Sequence, residues 1–320
     1  VNRSARLLSG SIAIAATSLV ATCPVPAAAA TAPVSGVRII DRFNPAAGQL
    51  PENIALEPAG SIDLSFALAH EIARVGRDGS VTVLAALPAP ADGGVNTPIL
   101  GFAISTGLVR AQDGALYFGY AAGDASLTGI WTLRPGSASP ERIAALPGNA
   151  LPNGLALDPR TGTLYAADSA LGVVWSVPAT GGTATVWSAA PQLAPHGFLG
   201  ANGIKVHDGA VWVSNTDQGT IIRIEVCGGA AGSVETRATG LSSVDDFAFT
   251  AGGRILAALN SINEVALVQP DGTHTIVLTA ADGLANPTSV AVRGSTFYVP
   301  SADYANAKNP NLLSGTLDGR

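Results

Sequence analysis

Three observations predict a six-bladed β-propeller, an all-β fold with four antiparallel strands in each blade. Six segments share one pattern, a polar residue followed by an apolar strand and a glycine turn. The turn glycines, Gly60, Gly114, Gly162, Gly209, Gly253 and Gly294, recur at intervals of about 54, 48, 47, 44 and 41 residues, within or close to the blade length of propellers. Each turn leads into further short runs rich in β-branched and aromatic residues, and nothing beyond residue 30 sustains a helical period.

The inner strands come first in each repeat: Pro51-Glu52-Asn53-Ile54-Ala55-Leu56, Ser105-Thr106-Gly107-Leu108-Val109-Arg110, Pro152-Asn153-Gly154-Leu155-Ala156-Leu157, Ala201-Asn202-Gly203-Ile204-Lys205-Val206, Val244-Asp245-Asp246-Phe247-Ala248-Phe249 and Pro287-Thr288-Ser289-Val290-Ala291-Val292. Second strands such as Ala210-Val211-Trp212-Val213-Ser214 and third strands such as Gly172-Val173-Val174-Trp175-Ser176-Val177 follow. Fourth strands are exemplified by Thr183-Ala184-Thr185-Val186-Trp187 after Gly181-Gly182. The sixth repeat has strands at 289–292 and 296–299 and a third near 311–317, and lacks an outer one. The segment 37–42, which belongs to no other repeat, is the natural candidate to supply it and so remove the open edges of the ring.

The composition suits many short elements rather than a few long ones: 47% hydrophobic, 12% charged, 37 glycines and 21 prolines. Residues 31–320 read as a single propeller domain. Residues 1–30 read as a signal peptide, with Arg3 and Arg6 before an apolar run at 7–20 and an Ala-x-Ala site near Ala28 to Ala30. That reading implies export and a soluble mature protein without a membrane span; anchoring through a lipid on Cys23 is the weaker alternative. With Cys23 lost, Cys227 would be alone, and it is expected to be a buried structural thiol. A net charge of −6 with 17 scattered basic residues gives no phosphate-tracking surface, which argues against nucleic acid as a partner. Phosphate loops, dinucleotide fingerprints and serine elbows are absent from the sequence.

If the repeats close into a ring, the polar residue heading each inner strand points toward its axis. These are Glu52, Thr106, Asn153, Asn202, Asp245 and Thr288. Two carboxylates and two carboxamides suit a hard divalent cation, and Ca²⁺ better than Zn²⁺, which favours His and Cys. An open cation of this kind can polarise a carbonyl and acidify a bound water. Thr106 and Thr288 are expected to be structural, and polar residues of this kind also serve simply to satisfy turn amides.

The order Glu, non-ligand, Asn, Asn, Asp, non-ligand, together with the stretches 151–158 and 202–206, resembles the gluconolactonase and senescence-marker-protein (regucalcin) family of six-bladed propellers. The resemblance implies a divalent cation, usually calcium, held in the central tunnel by Glu52, Asn202 and Asp245 with Asn153 close by. It also implies that Asp245 accepts a proton from the attacking water in a lactonase or esterase reaction. In sugar-lactonase members an Arg two residues before the third-blade Asn and an Asp directly after it hold the substrate. Here those positions are Leu151 and Gly154, which points to a less polar ester or lactone as the small-molecule partner.

The candidate catalytic residues are therefore Asp245, Asn153 and His196, the last on the loop Ala194-Pro195-His196-Gly197-Phe198 leading to the fourth inner strand. His70, His207 and His274 fall in or beside hairpin turns and read as structural or solvent-facing. Asp246, at a position where the family usually has Gly, either joins the cation or solvates a turn. The functional expectation is a secreted, calcium-dependent hydrolase acting as a monomer. The alternative is a non-catalytic propeller in which an ion pins the blades and the loops bind a ligand or a protein.

Overall fold

In the structure, a computed structural model, residue 1 and residues 33–318 are described. The proposed signal segment and Cys23 lie outside the described residues. Among the described residues, twenty-four strands form six four-stranded antiparallel sheets. Strand β1 (Val34–Arg42) is followed by blade 1, which comprises β2 (Pro51–Leu56), β3 (Ile62–Phe66), β4 (Glu71–Val75) and β5 (Val81–Ala86). Blade 2 is β6 (Ile104–Arg110), β7 (Leu116–Ala121), β8 (Gly129–Leu133) and β9 (Glu141–Ala145). Blade 3 is β10 (Pro152–Asp158), β11 (Thr163–Asp168), β12 (Val173–Pro178) and β13 (Thr185–Ser188). Blade 4 is β14 (Ala201–His207), β15 (Ala210–Asn215), β16 (Thr220–Cys227) and β17 (Ala230–Ala238). Blade 5 is β18 (Val244–Phe249), β19 (Ile255–Leu259), β20 (Glu264–Val268) and β21 (His274–Leu278). Blade 6 is β22 (Ala291–Arg293), β23 (Thr296–Ser301) and β24 (Asn311–Leu317), completed by β1 in the order β1-β24-β23-β22.

The repeat glycines are where they are for a backbone reason. All six hairpin positions have positive φ, between 60° and 96°, a region in which a Cβ is costly. The innermost strand of blade 6 is shorter than its sequence suggests. Only a single bridge, Pro287 to Ser301, precedes the ladder that begins at Ala291 paired with Tyr298.

Each sheet packs its apolar face on its neighbour. Leu155, Leu164 and Trp175 of blade 3, for example, share a core with Tyr117 and Ile130 of blade 2. Side-chain donors then stitch each blade to the inner strand of the next. Ser65 Oγ donates to Thr106 O (2.7 Å), Thr106 Oγ1 to Pro152 O (2.6 Å) and Ser169 Oγ to Ala201 O (2.7 Å). Ser214 Oγ donates to Asp245 O, Asn260 Nδ2 to Pro287 O (3.3 Å), and Thr288 Oγ1 to Pro51 O (2.9 Å). The circle is complete, and the structural role expected of Thr106 and Thr288 takes the form of two of its six links.

Cys227 corrects an expectation. It is exposed at the outer end of β16, because the β16–β17 hairpin carries that end past the packed part of the sheet.

Candidate functional site

The ring residues point inward because their strands are bulged there. In blades 1 to 5 the pairing of the inner strand with its neighbour shifts register across Glu52, Thr106, Asn153, Asn202 and Asp245. A bulge takes a residue out of the ladder and re-aims its side chain. In blade 6 the ladder is interrupted at the equivalent place, around Thr288.

Glu52, Asn153, Asn202 and Asp245 all line one cavity of about 1000 Å³ at one end of the ring, together with Thr106. Each of the four is nearly buried. Glu52 Oε2 accepts a hydrogen bond from the hydroxyl of Tyr304. Asp245 Oδ2 accepts one from Asn260 Nδ2 at 3.0 Å. Asn202 Nδ2 donates to Thr216 Oγ1 at 2.9 Å, while Asn202 Oδ1 is buried without any hydrogen-bond partner. His196 does not join them. It stands exposed outside the cavity lining, on a loop whose backbone N–H groups at His196 and Phe198 donate to Asp217 Oδ2 (2.7 and 2.8 Å).

Asp246 takes a third course. Both its oxygens accept from Lys205 Nζ (2.5 and 2.7 Å), and Oδ2 also accepts from Asn53 Nδ2 (3.2 Å) and Ser289 Oγ (2.7 Å). Asn53, Asp246 and Ser289 hold the position that follows the ring residue in blades 1, 5 and 6, where blades 2, 3 and 4 have Gly107, Gly154 and Gly203. A Cβ at Gly154 would lie 2.4 Å from Asn202 O, so this layer has no room for a side chain in blade 3. Beyond the ring, the axis is thus filled by backbone on one side and by an ion-paired carboxylate on the other.

The electrostatics follow from burying like charges together. Burial, opposed by the Tyr304 hydrogen bond and reinforced by the Asp246 charge, pushes Glu52 up to about 7. Burial first, then the charges of Glu52 and Asp246, hold Asp245 well above the usual carboxylate range, and hydrogen bonds from Asn260 and Asn202 offset only part of this. Burial and the two carboxylates also push the Tyr304 phenol upward, so it stays a donor.

No family model matches the chain, and no curated protein matches it. Solved structures do. Regucalcin from Agrobacterium tumefaciens, a calcium-binding protein, superposes with a TM-score of 0.64 at 17% identity, covering 88% of this chain and 96% of its own. A gluconolactonase from Xanthomonas campestris gives 0.64 at 15% identity, over 91% and 93% of the two chains. Virginiamycin B lyase from Staphylococcus aureus gives 0.59 at 16%, over 82% and 79%. The chain shares the six-bladed fold of the regucalcin and gluconolactonase propellers.

Judged as a cation site, the donor set fits. A carboxamide oxygen buried without a donor is costly in isolation and is what an oxygen-seeking ion would satisfy. Two carboxyl groups raised by burial and by neighbouring negative charge would likewise be relieved by positive charge. Among the described residues, no group of three or more His, Cys, Asp or Glu side chains forms a metal cluster. A cation held here would therefore draw on the two carboxamides as much as on the two acids. Tyr304 and Asn260 are the site residues that sequence reasoning missed. Tyr304 lies in the connection between β23 and β24, at no repeating position, whereas Asn260 directly follows β19 at the place that Ser169 holds after β11 and Thr216 after β15.

Proposed function

We propose that the protein is a metal-dependent hydrolase of the lactonase or esterase type, with a divalent cation, Ca²⁺ by donor chemistry, held by Glu52, Asn202, Asp245 and Asn153. The observation that carries this reading is the meeting of four oxygen side chains from four blades on the floor of one cavity, with the Asn202 carbonyl oxygen left unsatisfied. The hydrolase and lyase activities named for proteins of this fold are in keeping with it. The leader-like residues 1–30 make it an exported enzyme in this proposal.

The ion would supply polarisation of the substrate carbonyl and of the attacking water. Asp245 accepts a proton from that water as the water oxygen bonds to the acyl carbon. The acyl C–O bond then breaks and Asp245 returns the proton to the departing alkoxide, giving a carboxylic acid and an alcohol. Asn260 orients the Asp245 carboxylate through Oδ2, and Tyr304 holds Glu52 in place.

The deciding experiment is metal analysis of the purified protein followed by a panel of lactones and aryl esters with and without chelator. Chelation and Asp245→Ala should each abolish turnover without unfolding the chain, and Ca²⁺ should restore the chelated enzyme. Turnover that survives both treatments would refute the role given to the ion. A lower melting temperature on chelation, with no substrate turned over, would leave a non-catalytic propeller.

A further inference from the structure

The cavity above the ring has two unlike walls. On the side of blades 1 to 3 it is lined by Leu50, Leu68, Leu100, Phe102, Leu151 and Phe198. On the side of blades 4 to 6 the lining is polar, with Thr216, Gln218, Ser243, Asn260, Ser261 and Asn286. The base of the apolar wall is fixed core: Leu50 and Leu151 are buried in one cluster with Ile104 and Ala302. Its upper part is apolar surface left open, with Leu68 39%, Phe102 38% and Phe198 51% exposed.

Two tethered connections present that surface. The segment 88–103 crosses from blade 1 to blade 2 and is held by Gly101 N–H to Thr97 O (2.9 Å) and Ala103 N–H to Gly93 O (3.1 Å). Within it Ile99 has φ of 70°, an outlier for a β-branched residue, immediately before Leu100 and Phe102. Such strain persists where the surroundings impose it and is concentrated at ligand-binding segments. The second connection, from blade 3 to blade 4, carries Phe198 and is pinned by Asp217 through two backbone N–H groups. Large apolar side chains gathered on one wall of a concave site, and continuous with its reactive floor, mark a place for an apolar part of a ligand.

We infer that this wall is an alkyl-chain subsite: the substrate is an amphiphile whose ester or lactone head lies on the ring while an unbranched alkyl chain runs along Leu151, Leu50, Phe102 and Phe198. The inference rests on the hydrolase reading for the head group alone. A cavity of about 1000 Å³ is at the upper end of those that enclose drug-sized ligands, well beyond the need of a bare small lactone. At the base of the wall stands Leu151, a side chain that offers a hydroxylated substrate no hydrogen bond. The polar wall opposite suits the solvated edge of the head group.

Binding of non-hydrolysable probes keeps this test separate from catalysis. N-butyl- and N-octyl-pyrrolidinone carry the same lactam head and differ by four methylenes. At about two- to fourfold per methylene, the octyl probe should bind at least about tenfold tighter by calorimetry. Phe102→Ser and Phe198→Ser, both at exposed positions, should flatten that chain-length dependence while leaving the melting temperature within a degree or two. Equal affinity for the two probes would overturn the subsite even if esters are hydrolysed. Chain-length dependence without turnover of any ester would uphold the subsite and count against the hydrolase. Equal affinity together with retention on phosphatidylcholine vesicles would reassign the wall to surface docking and also overturn it.

Discussion

Asn202 concentrates the argument in one side chain. Its amide nitrogen is engaged by Thr216, while its carbonyl oxygen is buried and unsatisfied. An unpaired buried polar atom costs about 1–3 kcal/mol, so removing it should cost the ion-free protein little. Asn202→Ala is therefore expected to keep roughly the wild-type melting temperature in chelator and to lose most of the rise that Ca²⁺ gives the wild type. At a concentration a hundredfold above Kd that rise corresponds to about 2.7 kcal/mol. An undiminished calcium response in the variant would remove Asn202 from the donor set. The four ring residues could be read from the sequence because each heads a repeating strand, so alignment alone brings them together. Tyr304 could not, because its reach into the cavity depends on a chain path that no repeat encodes; Asn260 does hold a repeating position after the second strand of its blade, but Ser169 and Thr216 stand there in blades 3 and 4, so residue type did not mark it. Asp246 was visible but ambiguous: its ion pair with Lys205 depends on a contact between adjacent blades that neither strand pattern announces.

At the level of elements, the inner strands combine a bulge with a glycine. The bulge turns the ring residue inward, and the residue after it then faces the next blade at backbone distance. Gly107, Gly154 and Gly203 would place a Cβ at 2.3 to 2.4 Å from atoms of the neighbouring inner strand. Backbone cannot yield as a flexible side chain does, so Gly154→Ala should destabilise by about 1–3 kcal/mol or more, read as a fall in the urea midpoint. Gly162→Ala, where a Cβ meets open space, should cost only the strain of a positive φ, about 1 kcal/mol. Equal effects at the two sites would argue against tight blade-to-blade packing at the tunnel. The strand pattern was legible in the sequence because its period and glycine turns are local; the bulges were not, because register is fixed only when two strands pair.

A second inter-element device joins blades 6, 1 and 2 away from the cavity. Glu57 Oε1 accepts from Arg74 Nη2 (2.6 Å) and Arg110 Nε (2.8 Å), Asp63 pairs with Arg74 through both oxygens, and Arg293 donates to Glu57 O. Burial, partly offset by Arg74 and reinforced by Glu57, pushes Asp63 from 3.8 up to about 6. The folded chain thus holds a proton that the unfolded chain has already released. Asp63 consequently contributes stability that is present at low pH and is lost as pH rises from about 4 through about 6. Glu57→Gln removes the adjacent negative charge, so the difference in urea midpoint between pH 5 and pH 7 should shrink. An unchanged or steeper difference would show that Glu57 does not hold Asp63 up.

For the whole molecule, stability rests on closure. Six side-chain links run around the ring from each blade to the next, and β1 covers the free edge of β24 over six paired positions, Val34 with Leu317 through to Arg42 with Asn311. The closing strand could be foreseen because 37–42 had β character and no blade of its own, whereas the circle of side-chain links could not, since serine, threonine and asparagine do not name their acceptors. Deleting residues 1–42 should leave β24 as an unpaired edge and uncover apolar side chains such as Leu313, which lies fully buried across from Ile39. The same deletion leaves the four ring residues and their bulges untouched in sequence. It should therefore lower the melting temperature by several degrees and induce aggregation on heating, seen by light scattering, while Ca²⁺ restores part of the lost stability by tying blades 1, 3, 4 and 5 together at the axis. A truncated chain that melts where the full one does would show that the blades are held by their faces and their axial links alone.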